Sequence, residues 1–371
     1  MPAGREQLKI ILSYHSENDK GEGIHYARGL ERLGHQVVVI NSSAENNSSI
    51  EPTRRVIGFS QGIGLDGLLS SVGGADLFLY VEPLGLIPFG LERSPIPTAC
   101  VISDVHRDLK SRQTLSLLFD QVFLYQRDYT SAFTEHPHSA VHWSPWACDR
   151  TLFRDLGRER DLEVAFVGQL FGPRSDRRRI MSELAQRFRV NSQRYYLQAE
   201  IPEVYSRAKM VINLPVGHDL NSRFFEAMSC GALLLTTREE NGQEDLFEEG
   251  RHYVAFSGEK ELFDRVSYFL EHEEERGQIA RAGCELVERD HSLETRLEEL
   301  LERVRAGPLA CSPARKLPAK EVMSLYAAVY ERNGWVEALL RLAARKGGGI
   351  DRSVFLARGA KSFLRRAIHG W

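Results

Sequence analysis

The chain of 371 residues is poor in cysteine. Its five, Cys100, Cys148, Cys230, Cys284 and Cys311, stand far apart with no C-x-x-C pair. An odd, scattered set offers neither a disulfide framework nor a zinc knuckle, and fits a reducing cytoplasm. Long apolar runs are also lacking. None approaches the ~20 residues that cross a bilayer, and the opening MPAGREQLKIILSYHS is too short in apolar residues for a signal-peptide core. Neither sign of charge dominates: 48 Lys/Arg against 51 Asp/Glu leaves −3, so no global basic field points to nucleic acid. H-E-x-x-H, G-K-[ST] and G-x-S-x-G are missing from any supporting context, and no compact D-x-D stands at a strand end to hold a divalent metal.

What remains is the composition of a soluble globular protein, 42% hydrophobic and 27% charged, long enough at ~100–200 residues per domain for two domains and an appendage. Its charge is unevenly spread. Residues 307–371 hold 12 Lys/Arg and 4 Asp/Glu, a net +8, which leaves −11 for residues 1–306.

Residues 8–41 read as strand, loop, helix, strand: LKIILSY, a turn cluster, IHYARGLERLG, then HQVVVIN, with Gly34 placed as a left-handed helix stop. Further β-like runs at 75–81, 98–103, 121–125 and 140–143 alternate with helical stretches, which predicts a parallel, doubly wound sheet. After WSPWACDRTLF the pattern restarts with LEVAFVG, an amphipathic helix RSDRRRIMSELAQRF, and the apolar strands AKMVINLP, ALLLTT and HYVAF. The expected division is residues 1–150, residues 156–306 closing in charged amphipathic helices, and a basic helical extension over 307–371.

The segment NLPVGHDLNSRFFEAMSCGALLLTT, residues 213–237, carries the most chemistry. Asn221 or Ser222 suits an N-cap, Arg223 to Ser229 a short helix, Gly231 its end, and Ala232 to Thr236 a buried strand. A helix start offers free N–H groups and a positive dipole end, the seat of a diphosphate. Arg223 adds charge-assisted hydrogen bonds to phosphate. Glu226, on the same face one turn deeper, accepts from vicinal ribose hydroxyls. The alternative is an ordinary capped helix with an i,i+3 ion pair.

The run R-F-F-E-A-M-S-C-G-A-L-L-L-T-T resembles the nucleotide-sugar motif of group 1 glycosyltransferases of the GT-B fold, most closely the spore-maturation (CgeB-like) branch. Other matches follow in order: GLERLGHQVVVI, WSPWACDRTLF, VAFVG, VINLP, EDLFEEGRHYVAF and HSLETRLEELL, over residues 8–305 and most densely from Val164. The resemblance implies two Rossmann-like α/β domains facing across a cleft, and transfer of a sugar from a nucleotide-diphosphate sugar to an acceptor hydroxyl. The acceptor would be a cell-surface glycan, a lipid-linked glycan or a similar hydroxyl. The donor is a substrate, so no cofactor is expected, and the transfer is expected to be metal-independent and retaining.

By the same resemblance Glu226 binds donor ribose, Arg223 and Asn221 lie near the diphosphate, and Gly168 lets its loop approach the nucleotide. Arg178 is the chosen phosphate arginine among Arg174, Arg177, Arg178 and Arg179. His218 stands where many relatives carry a glutamate near the donor sugar. TACVISDVHRD resembles the strand that delivers an active-site His-Asp, with Asp104 as a base towards the acceptor and His106 bonding donor sugar or phosphate. NAD is not expected, because G-x-G-x-x-G starting at Gly21 puts Tyr26 at the third glycine.

Two other readings stay open: a non-catalytic nucleotide-sugar-binding module, and a sugar-nucleotide epimerase using His218, Asp219 and Glu244. The basic, apolar-interleaved DRSVFLARGAKSFLRRAIHGW at the end suits an anionic membrane surface or packing on the acidic body. The expected location is therefore cytoplasmic, or peripheral at the inner face of the membrane, without a nucleic-acid partner.

Overall fold

A computed structural model describes residues 6–15, 19–42, 56–135, 138, 140–170, 175–217, 219–238, 241–309 and 311–344. The described chain forms two compact units. The first takes residues up to Tyr125, Tyr129–Ser144 and residues from Glu299 onward; the second takes Gln126–Asp128 and Pro145–Glu298.

The first unit holds a seven-stranded sheet of β1 (Lys9–Ser13), β2 (Gln36–Asn41), β3 (Val56–Gly58), β4 (Leu77–Val81), β5 (Thr98–Ile102), β6 (Gln121–Leu124) and β7 (Val141–Trp143). All pairs are parallel and the order is β3-β2-β1-β4-β5-β6-β7. Helices α1 (Glu22–Arg32), α2 (Leu65–Val72), α3 (Leu109–Ser116) and α4 (Thr130–Glu135) lie along the connections. Gly34 takes φ 90, and the N–H of His35 reaches Leu30 O at 3.1 Å, so α1 closes in a Schellman turn.

The second unit holds β8 (Leu162–Ala165), β9 (Ala208–Asn213), β10 (Leu233–Thr237) and β11 (Val254–Phe256), parallel in the order β11-β10-β9-β8. Val190 bridges Val164 in parallel. With it are α5 (Ser175–Arg187), α6 (Ile201–Ser206), α7 (Ser222–Ser229), α8 (Gln243–Leu246), α9 (Glu259–Glu271) and α10 (Glu273–Asp290), while α11 (Leu293–Ala306) begins in the second unit and passes into the first at Glu299. Strand alternation sorts two apolar layers. Val164 and Phe166 pack with Met181 and Leu184 of α5 and Leu262 of α9. Ala165 and Val167 pack with Phe224, Phe225 and Met228 of α7 and Val287 of α10.

Two features correct the expected division. The second unit starts at Pro145, ahead of the expected boundary, and the described part of 307–371 is no separate extension. Its helices α12 (Ala319–Arg332) and α13 (Val336–Ala344) belong to the first unit's core, where Tyr326, Tyr330, Trp335, Leu339 and Leu342 join Phe78, Tyr80 and Cys100. The physical reason is an apolar stripe at helical spacing, Val322, Met323, Tyr326 and Tyr330, which net charge does not register. The Tyr326 hydroxyl accepts from the N–H groups of Gly90 and Leu91 and donates to Glu92 Oε2 at 2.8 Å. Residues 351–371 lie outside the described residues. No helix among the described residues is long and apolar enough to cross a membrane.

Candidate functional site

In the second unit the chain goes from β8 sideways to Val190 and returns past β8 to β9, so the direction of winding reverses between β8 and β9. In an open parallel sheet such a reversal leaves a crevice at the carboxyl ends of the two strands, where ligands bind. Phe166, Val167 and Gly168 follow β8 there, and Asn213 ends β9.

Asn213 is the centre of this edge. It is 1% exposed, and its Oδ1 accepts from Arg223 Nη1 at 2.8 Å and from Asn221 Nδ2 at 3.1 Å, while its Nδ2 donates to Thr236 Oγ1 at 3.2 Å. Arg223 also donates from Nε to Val167 O at 2.9 Å, and its guanidinium carbon lies 4.9 Å from the Phe166 ring centroid. Two of its three nitrogens are thus tied to protein acceptors, and Nη2 lies over Gly168. A Cβ on Gly168 stands 2.8 Å from that nitrogen and 2.8 Å from the Phe166 ring, so only glycine leaves the guanidinium its place.

Asn221 is the N-cap residue of α7, but its amide turns to Asn213 and makes no cap hydrogen bond; its Oδ1 is buried without a partner. Glu226, half-buried, lies near Tyr205 and Cys230. Burial raises both of their pKa values; at Tyr205 the neighbouring Arg223, which also hydrogen-bonds that side chain, pulls the value back, and at both residues the Glu226 charge raises it. Gly231 takes φ 71 and Ala232 N donates to Ala227 O at 3.3 Å, so α7 ends as its sequence predicts.

The three arginines opening α5 diverge, since successive helical residues are about 100° apart. Arg177 donates to Leu214 O, and its guanidinium carbon lies 5.8 Å from the Phe166 centroid. Arg179 pairs with Glu183 and Glu259, and Arg178 is exposed. The arginine brought to the Arg223 edge is therefore Arg177, in place of Arg178. His218 lies outside the described residues. Asp219, 8% exposed, accepts from Gln126 Nε2 at 2.8 Å.

In the first unit the sheet reverses between β1 and β4, with Asp104 and His106 just past the carboxyl end of neighbouring β5. Asp104 has φ 49, a left-handed conformation that Asp tolerates better than most residues. Its carboxylate pairs with Arg107 Nε at 3.0 Å. His106 Nδ1 is buried without a hydrogen-bond partner, and burial holds the imidazole pKa below its ordinary 6.5, so the ring is neutral at pH 7.

A glycosyl transferase-like family model matches residues 149–302, the stretch that contains the Arg223 edge. Over that stretch the chain is similar to glycosyl transferase-like proteins. No curated protein matches the chain. Among solved structures, HepE of Anabaena in complex with UDP and glucose is similar, with TM-score 0.60 and 13% identity over 81% of this chain and 100% of that one. Sucrose-phosphate synthase of Thermosynechococcus elongatus gives TM-score 0.59 and 12% identity over 81% and 99%. An α-glucosyltransferase in complex with UDP-glucose and DNA gives TM-score 0.59 and 11% identity over 81% and 100%. At such identities the likeness is one of fold, and the fold is GT-B.

Within the matched stretch the structure gathers Arg223, Asn221 and Gly168 at one strand edge, with Glu226 on the helix that starts there. Sequence reasoning missed Asn213 and Arg177 as members of this edge. Asn213 stood inside the quoted VINLP, and its signal was a polar residue ending an otherwise apolar strand. In the first unit it missed Glu82, the acid that closes the apolar run LFLYV and is 3% exposed at the end of β4.

Proposed function

We propose that the protein is a glycosyltransferase that moves a sugar from a nucleotide-diphosphate sugar to an acceptor hydroxyl. The observation carrying this reading is the Arg223 guanidinium of the first turn of α7, fixed through Nε and Nη1 at the switch point of the second sheet, with Nη2 over Gly168. A diphosphate at this edge meets free helix N–H groups and a fixed cation, and Arg177 adds a second. As the glycosidic bond breaks, negative charge grows on the leaving diphosphate, and preorganised cations stabilise it most at that stage. Since two arginines and a helix start supply that neutralisation, we read the transfer as metal-independent.

Glu226 is assigned to the donor ribose. From the first unit Asp104 is assigned as a base towards the acceptor hydroxyl, and the neutral His106 imidazole to a hydrogen bond with donor sugar or phosphate. Family resemblance supports a retaining, front-face route without a protein nucleophile, and membership of the spore-maturation branch. The acidic balance of residues 1–306 favours a cell-surface or lipid-linked glycan over a polyanionic acceptor such as DNA. Residues 351–371 suit an anionic membrane, which would make the enzyme cytoplasmic or peripheral at the inner face.

The test incubates the purified protein with a panel of nucleotide sugars, UDP-glucose first in view of the solved neighbours, with and without glycan acceptors, and follows release of nucleoside diphosphate. Acceptor-dependent release that persists in EDTA and is slowed by Arg223→Ala is the expected result. Binding without release with every acceptor points to a non-catalytic module. Wild-type nucleotide affinity in both Arg223→Ala and Glu226→Ala refutes the site.

A further inference from the structure

Glu82, buried where β4 ends at the switch point of the first sheet, plays no part in the reaction proposed above. Two guanidiniums from distant parts of the chain meet it. Arg112 of α3, itself 6% exposed, places Nε 3.1 Å from Oε2, and Arg332, in the last turn of α12, donates from Nη1 to Oε1 at 3.1 Å. Burial pushes the Glu82 carboxyl up, and the two arginines pull it back.

Both arginines continue to the loop between β5 and α3. Arg112 donates from Nε to Ser103 O at 3.0 Å and from Nη1 to Asp108 O at 3.4 Å, so one side chain ties both ends of the loop. Arg332 Nε lies 3.4 Å from Asp108 Oδ2, and the other oxygen of Asp108 accepts from Ser111 N to cap α3. Between these ties stand Asp104, in its left-handed conformation, and His106. Buried ion networks add little stability over an apolar core of the same volume, but they fix geometry.

We propose that Arg332, acting through Glu82 and Asp108, is a positioning residue for His106: α12, which follows the family-matched stretch in sequence, holds in place the loop of the first unit that carries Asp104 and His106. The relevance to catalysis rests on the reading of Asp104 and His106 as active-site residues; the positioning itself does not.

The test uses the full chain labelled with ¹³C-histidine, the His106 signal being assigned with His106→Gln, and follows the imidazole titration by NMR. In the wild type the midpoint lies below 6.5. Arg332→Ala removes the tie outright. Asp108→Asn keeps the α3 cap, since Asn caps as well as Asp, but removes the charge facing Arg332, and it serves if the first variant folds poorly. In each the midpoint moves up towards 6.5 as the ring gains water, and kcat for transfer falls on the order of 10–100-fold, the effect of a displaced reacting group, while nucleotide affinity stays unchanged. Titrations of both variants superimposable on the wild type overturn the proposal, whatever the activity. A shifted titration with unaltered transfer kinetics upholds the positioning and overturns the active-site reading of His106.

Discussion

Replacing Asn213 by alanine removes three hydrogen bonds at once, those to Arg223, Asn221 and Thr236. A neutral buried hydrogen bond contributes about 1 kcal/mol net, and one to a charged group about 1.5–3 kcal/mol. The gross loss is therefore about 4 kcal/mol. Arg223 and Asn221 are half-exposed, so water recovers part of it and about 2 kcal/mol remains. At about 2–4 °C per kcal/mol for a unit of this size, the melting temperature falls by about 4–8 °C.

The second consequence is functional. Arg223 loses the tether on Nη1 and keeps the one on Nε, so its contact with a diphosphate weakens by about 1 kcal/mol, close to fivefold in Kd. Arg223→Ala sets the ceiling, about 1.5–3 kcal/mol or 10–150-fold. Calorimetry with UDP on the two single variants and the double variant closes the cycle. If Asn213 acts by holding Arg223, Asn213→Ala costs almost nothing once Arg223 is gone. Additive losses refute the reasoning, and so does an Asn213→Ala protein that melts early but binds UDP like the wild type.

Gly168→Ala places a methyl 2.8 Å from Arg223 Nη2; because a flexible side-chain end can yield, the melting temperature should drop by only a few degrees while UDP affinity falls about tenfold, and wild-type affinity by calorimetry counts against the packing argument. His291 is 6% exposed, and burial lowers its pKa to about 4. A histidine depressed in the folded state stabilises above its unfolded value of 6.5 and loses that contribution as pH falls through about 4, here about 3 kcal/mol. Urea midpoints measured from pH 7 to pH 4 should therefore fall more steeply in the wild type than in His291→Phe, which keeps ring contact with Phe225 and Phe247. A chain stopped after Gly307 strips Tyr326, Tyr330, Trp335, Leu339 and Leu342 from the first core. At about 1.5–3 kcal/mol per buried side chain the loss is about 10 kcal/mol, comparable to the whole stability of a domain, so the first unit should not fold and near-UV circular dichroism should show it.

The strands were legible because buried parallel strands are built on continuous apolar runs, as IIL, LFLYV and ALLL are. β3, three residues long, and the single bridge at Val190 carry too little pattern to be read. The end of α7 was legible because Gly231 needs a positive φ. Its start was legible in position, but Asn221 chose an acceptor on the neighbouring strand over the N–H groups of its own helix, a competition that local sequence does not decide. That Arg177 and not Arg178 lies at the Arg223 edge was illegible because RSDRRRI has no apolar residue before Ile180 to set the helix phase. Glu82 was illegible for another reason: one of its partners, Arg332, lies 250 residues away.

The charge of residues 307–371 misled in an instructive way. A net of +8 suggested a surface apart from the acidic body, yet net charge describes one face of an amphipathic helix and leaves the opposite face unspecified. In α12 that opposite face is Val322, Met323, Tyr326 and Tyr330, all buried in the first unit. The cation at its end, Arg332, is committed to Glu82 and Asp108, so part of the basic excess answers a carboxylate buried in the body. Segment charge and segment packing are thus separate properties, and periodicity decides the second. Where periodicity places an arginine at the buried end of such a helix, the acid it meets is worth seeking at the carboxyl end of a strand, because there a buried carboxylate can lie close to reacting groups and help to hold them.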